Sequence, residues 1–204
     1  MRRRFATLCL VLLVALSGCS TVVGDALTVA ASPATVSDEA AAEHGFAEPT
    51  LENQTIPVGR LTGAPVNVSL DVWVSRTVRP PDVEDTTADG EPARNATALT
   101  VVSLSQAKVA GVPTNPLATA PLASLLTRFT RAGNVTQVGE RSVPILGEER
   151  TVTTFRTGGE REGRVHVARV RHGNDVVVVI GVAGTERDAA AVLSLMEHVE
   201  HEAG

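Results

Sequence analysis

Cysteine is almost missing from this chain: among its 204 residues only Cys9 and Cys19 occur, both near the amino terminus. Residues 20–204 therefore have no thiol. This excludes a disulfide, a thiolate metal site and a cysteine nucleophile from that part of the chain. Its fold must be stabilised by burial of apolar surface, and the remaining length is enough for one core of ordinary size.

Lysine and tyrosine are also scarce. Lys108 is the only lysine among 18 basic residues, and tyrosine is absent. Without Arg2, Arg3 and Arg4, the chain has 15 basic and 23 acidic residues. Nucleic acid is excluded as a partner, because binding to its phosphates needs a basic surface. This bias towards arginine and acidic residues is typical of GC-rich genomes and of salt-adapted proteins.

No apolar run is long enough to cross a bilayer. The longest near the amino terminus, residues 5–16, has twelve residues, whereas a spanning helix needs roughly 20. It follows three arginines and ends at Leu16-Ser17-Gly18-Cys19, the pattern at which a lipoprotein signal is cut and the cysteine lipidated. We therefore predict a cleaved signal peptide at 1–18 and a membrane anchor through lipid on Cys19. A plain secretory signal is the alternative, and the arginines fit both Sec and twin-arginine export.

Four of the six asparagines lie in Asn-x-Ser/Thr sequences without proline. They are Asn53, Asn67, Asn95 and Asn134. The excess predicts N-glycosylation of an exterior protein, with Asn95 as the best candidate. Coincidence in a threonine-rich chain is the alternative interpretation.

Three blocks of sequence, together with the lipidation motif, resemble an uncharacterised family of haloarchaeal surface lipoproteins. The blocks are residues 27–37, 139–147 and 170–178. The resemblance spans nearly the whole mature chain. It implies a salt-loving archaeal source and a surface location on the outer face of the cytoplasmic membrane, and it brings no assigned activity.

The hydrophobic pattern predicts one α+β domain at 33–204, preceded by a lipidated tether at 19–32. Helices are predicted at 37–44, from Pro121 to Gly133, and from Glu186 to about His201. Extended segments at 50–57, 66–78 and 98–104 precede a C-terminal four-stranded antiparallel meander at about 135–146, 149–157, 163–171 and 175–183. The expected architecture is that meander flanked by helices, and its order of elements resembles the PsbP-like fold. The apolar run Val176–Ile180 predicts a strand covered on both faces.

Two short patterns raise the possibility of catalysis or metal binding. His198 and His201, three apart on the predicted last helix, could hold a metal such as zinc. Ser105 and Lys108 have the Ser-x-x-Lys spacing of penicillin-recognising enzymes, but the companion motifs are missing. We interpret the first as a solvated helix end and the second as chance, and His166 and His172 as structural or surface residues. No catalytic residue, metal site or cofactor is predicted.

Arginines crowd the predicted third strand of the meander and its neighbours. They are Arg156, Arg161, Arg164, Arg169 and Arg171. Such a set could bind a carboxylate or phosphate ligand. Because arginines alternate with valines along a strand, pairing with nearby acids on the wet face of a sheet is the preferred interpretation.

The function predicted from the sequence is a membrane-anchored, non-enzymatic binding or assembly module of the archaeal cell surface, with an unidentified protein partner. The alternative is a substrate-capturing protein or hydrolase with a site in the loops 79–95 and 106–120. A concave site with a buried, strongly perturbed acid, base or arginine would favour the alternative, and a convex surface with only exposed charges would favour the module.

Overall fold

The computed structural model describes ten stretches of the chain. They are residues 20–23, 26–60, 67–80, 97–106, 108–109, 112–113, 115, 120–130, 135–157 and 163–202. Cys19, Arg161 and the predicted glycosylation residues Asn95 and Asn134 lie outside the described residues.

The described chain is mainly extended. Its strands are β1 (Ser20–Val23), β2 (Ala26–Ala30), β3 (Ala34–Val36), β4 (Thr50–Arg60), β5 (Asn67–Val78), β6 (Ala98–Ser105), β7 (Lys108–Val109), β8 (Val112–Pro113), β9 (Val135–Ile145), β10 (Glu148–Thr157), β11 (Gly163–His172), β12 (Asp175–Ala183) and β13 (Val199–His201). Its helices are α1 (Asp38–Glu43), α2 (Leu122–Thr130) and α3 (Glu186–Met196).

The predicted α+β class is wrong. Strands make up 62% of the structure and helices 17%, and the meander is part of one large mixed sheet. The described residues place nine strands in that sheet, in the order β1-β2-β5-β6-β12-β11-β10-β9 with β4 paired to β5. The extended segments before the meander join it through β6, which pairs antiparallel with β12. The four-stranded unit with flanking helices, on which the likeness to the PsbP-like fold rested, is therefore not the architecture.

Strand β12 lies in the interior of the sheet, as its apolar run predicts. It pairs with β6 on one side and with β11 on the other, both antiparallel. Residues 175–181 are all buried, so successive side chains enter the cores on opposite faces. A continuous valine run is what a strand covered on both faces requires.

Each face of the sheet carries its own core. On the α3 face, defined by Leu99, Val101, Val177 and Val179, the sheet packs against α1, α3 and the small β3–β13 ladder. On the α2 face, defined by Val102, Leu104, Val176 and Val178, it packs against Leu125 and Leu126 of α2. The stripe of leucines predicted from Pro121 onward therefore covers one side of the sheet.

The last predicted helix ends early. α3 stops at Met196, and residues 199–201 form β13, which pairs antiparallel with β3. Burial alternates along β13, with Val199 and His201 inside and Glu200 outside. This period of two is that of a strand, so the prediction of a helix to about His201 is wrong in its last turn.

Part of the predicted tether is paired with the sheet. β1 and β2 form an antiparallel pair, and β2 lies parallel to the first half of β5. Leu27 and Val29 of β2 are buried with Val68 and Leu70 of β5. Among the described residues, no helix is both long and apolar enough to cross a membrane.

Close approach of α3 to the sheet depends on Gly181. A methyl group at this position would overlap Cγ1 of Val192 in α3. We expect Gly181→Ala to lower the free energy of unfolding by about 1 to 3 kcal/mol, because the helix must move off β12. Denaturant unfolding measures the change. Gly139→Ala is the matched control, since nothing lies within 4 Å of its added methyl; an equal loss in both variants would contradict the packing explanation.

Candidate functional site

Of the predicted modification residues, Asn53 and Asn67 are described. Asn53 lies in β4 and Asn67 begins β5, and both are exposed. Their surface position leaves room for a glycan, and occupancy stays a prediction.

The Ser-x-x-Lys pattern does not lie on a helix. Ser105 is the last residue of β6 and is buried, whereas Lys108 begins the short strand β7. The carbonyl oxygen of Ser105 accepts a hydrogen bond of 3.2 Å from Nδ2 of buried Asn115. In penicillin-recognising enzymes the lysine is brought over the serine by one helical turn, and a strand end does not supply that arrangement.

The predicted arginine set is divided between the two faces of the sheet. Arg156 and Arg164 are directly opposite each other on β10 and β11, on the α3 face. Arg169 and Arg171 follow at odd spacing along β11 and so point to the α2 face. There Arg169 donates through Nη2 to the carbonyl oxygen of Ala120, just before α2. Burial and, secondarily, Arg171 lower the pKa of Arg169.

Arg156 and Arg164 line a cleft of about 290 Å³ at the outer edge of the sheet. Its wall consists of Val138, Gly139, Glu140, Arg141, Thr154, Arg156 and Arg164. A bulge creates the concavity: Thr154 pairs with Gly139 and Phe155 with Gln137, so Val138 has no partner in the ladder. Three neighbouring strands thus each supply one guanidinium, and Arg141 of β9 is a member that the sequence analysis did not single out.

Positive charge in this cleft is only partly neutralised. Arg164 forms an exposed ion pair with Glu186 in the first turn of α3, at 2.5 Å. Arg141 and Arg156 have no ion pair with any described residue. Glu140 also lines the cleft, but it pairs with Thr153 in the ladder and therefore lies on the α2 face. There its Oε1 accepts a hydrogen bond of 3.0 Å from Nε2 of Gln137. The α3 side of the cleft is therefore cationic.

His166 lies behind the cleft. It is only 3% exposed, and its Nδ1 lies 3.0 Å from Oγ1 of Thr154. Burial, followed by Arg141 and Arg164, lowers the pKa of His166 to about 4, against a weaker opposing effect of Glu186. The imidazole is therefore neutral at pH 7. Its buried Nε2 has no hydrogen-bond partner in the described structure.

The lowered pKa makes stability depend on pH. Between pH 6.5 and about 4 the unfolded chain binds a proton at His166 that the folded protein does not bind. The contribution of neutral His166 to the free energy of unfolding is therefore complete above pH 6.5 and is lost as the pH falls through this window. We expect the free energy of unfolding of the unmodified protein to fall by about 2 kcal/mol more than that of His166→Gln between pH 7 and pH 4. Parallel denaturation series at several pH values test this, and superimposable pH profiles would contradict it.

A second polar cluster is buried at the opposite end of β11. Asp175 Oδ2 accepts from the backbone N–H of Ser32 at 2.8 Å and lies 3.2 Å from Nε2 of His201. Nδ1 of His201 lies 2.9 Å from Nδ1 of His172. Because the carboxylate can only accept, Nε2 of His201 is the donor, and a neutral His201 accepts from Nδ1–H of His172. Hydrogen bonds thus run from Asp175 through two imidazoles.

His198 and His201 do not share a helix face, and the interpretation of both as a solvated helix end is wrong for His201, which is buried in β13. The two residues are separated by the change from α3 to β13, and His198 lies against His44 instead, with ring centroids 5.3 Å apart. His172 and Asp175 face each other across a tight turn in which Gly173 has φ of 60°. The turn sequence His172-Gly173-Asn174-Asp175 is the only local pattern from which the proximity of His172 and Asp175 could have been predicted. Among the described residues no group of three His, Cys, Asp or Glu could hold a metal ion.

We expect Asp175→Ala to lower the free energy of unfolding by about 2 to 4 kcal/mol, because Ser32 N–H and His201 Nε2 then lose a buried acceptor. His172→Ala removes only the outer member of the cluster and should cost about 1 kcal/mol. Denaturant unfolding at neutral pH compares the two variants. A larger loss for His172→Ala would contradict the central place given to the carboxylate.

Comparison with protein families gives one match. Residues 33–200 match the family described as a domain of unknown function, DUF6517. The chain belongs to this family. No curated protein and no solved structure matches it.

Proposed function

We propose that this protein is a lipid-anchored, non-enzymatic binding module on the outer face of an archaeal cytoplasmic membrane. The location is supported by the twelve apolar residues that end at Leu16-Ser17-Gly18-Cys19, a pattern typical of lipoprotein signals. Exposed Asn53 and Asn67, each in an Asn-x-Ser/Thr sequence, are consistent with a glycosylated exterior domain.

The binding role is carried by one observation, the cleft lined by Arg141, Arg156 and Arg164. Guanidinium groups stay protonated at any physiological pH, so they bind and orient anions but do not take up or release protons. His166, the nearest imidazole, is buried behind Thr154. The three guanidiniums are therefore suited to capture of a ligand rather than to acid–base chemistry.

The anchor would hold this domain close to the bilayer. β1 begins at Ser20, the residue directly after Cys19, and β2 is hydrogen-bonded to β5 inside the main sheet. Lipid on Cys19 would then be joined to the sheet without a long intervening linker. A binding domain placed in this way samples ligands or partner proteins within a short distance of the membrane surface.

The alternative of a hydrolase with a site in the loops 79–95 and 106–120 falls mostly outside the described residues. The described residues of these loops are 79–80, 106, 108–109, 112–113, 115 and 120. Arg79 forms an ion pair with Asp188 at 3.2 Å, and Asn115 supports the backbone at Ser105. The arginine cleft is concave, as the substrate-capturing form of the alternative requires, but His166, whose pKa is lowered, does not line it. We therefore propose a module that captures a ligand without catalysing its reaction.

Substitution of Cys19 tests the anchor. We expect the native protein to be in the membrane fraction, with mass spectrometry showing a lipid on an amino-terminal Cys19. Cys19→Ser should leave the membrane fraction, because the only predicted lipid attachment is lost. Cys9→Ser, within the predicted signal, is the matched control and should remain anchored. An uncleaved leader or an unmodified thiol at Cys19 would overturn the proposal.

A further inference from the structure

The arrangement of charges in the cleft identifies the class of ligand: we infer that it binds a phosphate group, with the phosphate held between Arg141, Arg156 and Arg164. This inference rests on the proposed binding function and specifies what the same site takes. It depends on the positions of the guanidiniums, on the partners they lack and on the size of the cleft.

Arg156 and Arg164 form an unfavourable pair across the two strands. These side chains are direct cross-strand neighbours on one face of the sheet, and like charges at such positions repel. Glu186 neutralises Arg164, but Arg141 and Arg156 remain without an ion pair among the described residues. In a chain with a net charge of −5, a local excess of cations is unusual. An anion placed between the three strands removes the repulsion.

The net charge of the cleft matches that of a phosphate group. Three guanidiniums with one carboxylate partner leave two positive charges on the α3 side of the cleft. A phosphate carries about −1.5 to −2 at neutral pH, whereas a carboxylate carries only one negative charge. The planar fork of arginine also donates two parallel hydrogen bonds to neighbouring phosphate oxygens. A phosphate therefore matches the site better in charge and in donors.

A hydroxyl donor completes the site. Thr154 lines the cleft, and its Oγ1 contacts Nδ1 of His166. When the imidazole carries its proton on Nδ1, His166 donates to Thr154, and the hydroxyl hydrogen of Thr154 is directed to a ligand.

The cleft has room for an esterified phosphate. A cleft of about 290 Å³ exceeds what one oxyanion fills, since a water molecule occupies about 30 Å³. Open space around Gly139, where an added methyl would meet nothing within 4 Å, leaves room for an attached group. The phosphate could belong to a small soluble ester or to a membrane headgroup, and both offer the same chemistry to the arginines.

The test uses the full chain purified in detergent from native membranes, titrated calorimetrically with inorganic phosphate and with glycerol phosphate. We expect saturable binding of both, tighter for the ester, and at least tenfold weaker binding by Arg156→Gln, which loses a charged donor. Arg171→Gln is the matched control: it removes the same charge from an exposed position on the opposite face of the neighbouring strand β11. Its affinity should change less than twofold.

Three outcomes would overturn the inference: no saturable binding of either phosphate compound, equal weakening by Arg156→Gln and Arg171→Gln, or tighter binding of glucuronate than of glycerol phosphate. Vesicles with and without a phosphomonoester headgroup distinguish a lipid from a soluble source, through recruitment of the Cys19→Ser protein. Thermal unfolding of each variant confirms that it is folded. A protein that binds phosphate but has no lipid on Cys19 would overturn the anchor alone, and a lipidated protein that binds neither compound would overturn this inference alone.

Discussion

Burial of β12 on both faces is the constraint on which the rest of this structure depends. Because residues 175–181 alternate between two cores, neither face of the sheet can be left open to water. α1, α3 and the β3–β13 ladder cover one face, and α2 covers part of the other. The close contact at Gly181 is a direct result, since the valine run brings α3 against the backbone of the strand.

Local patterns were sufficient to predict most of the elements but not their assembly. Ser37 caps α1 through the N–H of Ala40, and the turns at Leu146-Gly147 and Gly173-Asn174 separate the strands as their sequences predict. The class was wrong because nothing in the period of β5 or β6 specifies the strand with which it pairs. That choice depends on contacts between residues far apart in the chain, such as Val102 with Val178. The prediction of a last helical turn was wrong for the same reason, because residues 199–201 are extended through their pairing with β3.

The candidate site shows a similar limit. The alternation of arginine and valine along β11 was interpreted as one wet face, whereas the structure places Arg164 on the α3 face and Arg171 on the α2 face. Arg141 could not be assigned to the cleft from sequence, because its position depends on the bulge that leaves Val138 out of the ladder. An unpaired residue in a strand changes which side chains share a surface, and the regular alternation of the sequence does not predict where such a bulge occurs. The lowered pKa of His166, which is caused first by burial and then by Arg141 and Arg164, becomes visible only when the three strands are placed side by side.

Pairing of β3 with β13 also has a kinetic consequence. Residues 34–36 complete their hydrogen bonds with residues 199–201, so the two segments that close this ladder are synthesised at widely separated times. Ala34 and Val36, which are buried in the finished fold, remain uncovered until residues 199–201 have been made. Ladders between such distant segments are slow to form and leave apolar surface exposed to aggregation. The α3 core therefore closes at this edge only after β13 has been synthesised, and loss of β13 would leave that edge open.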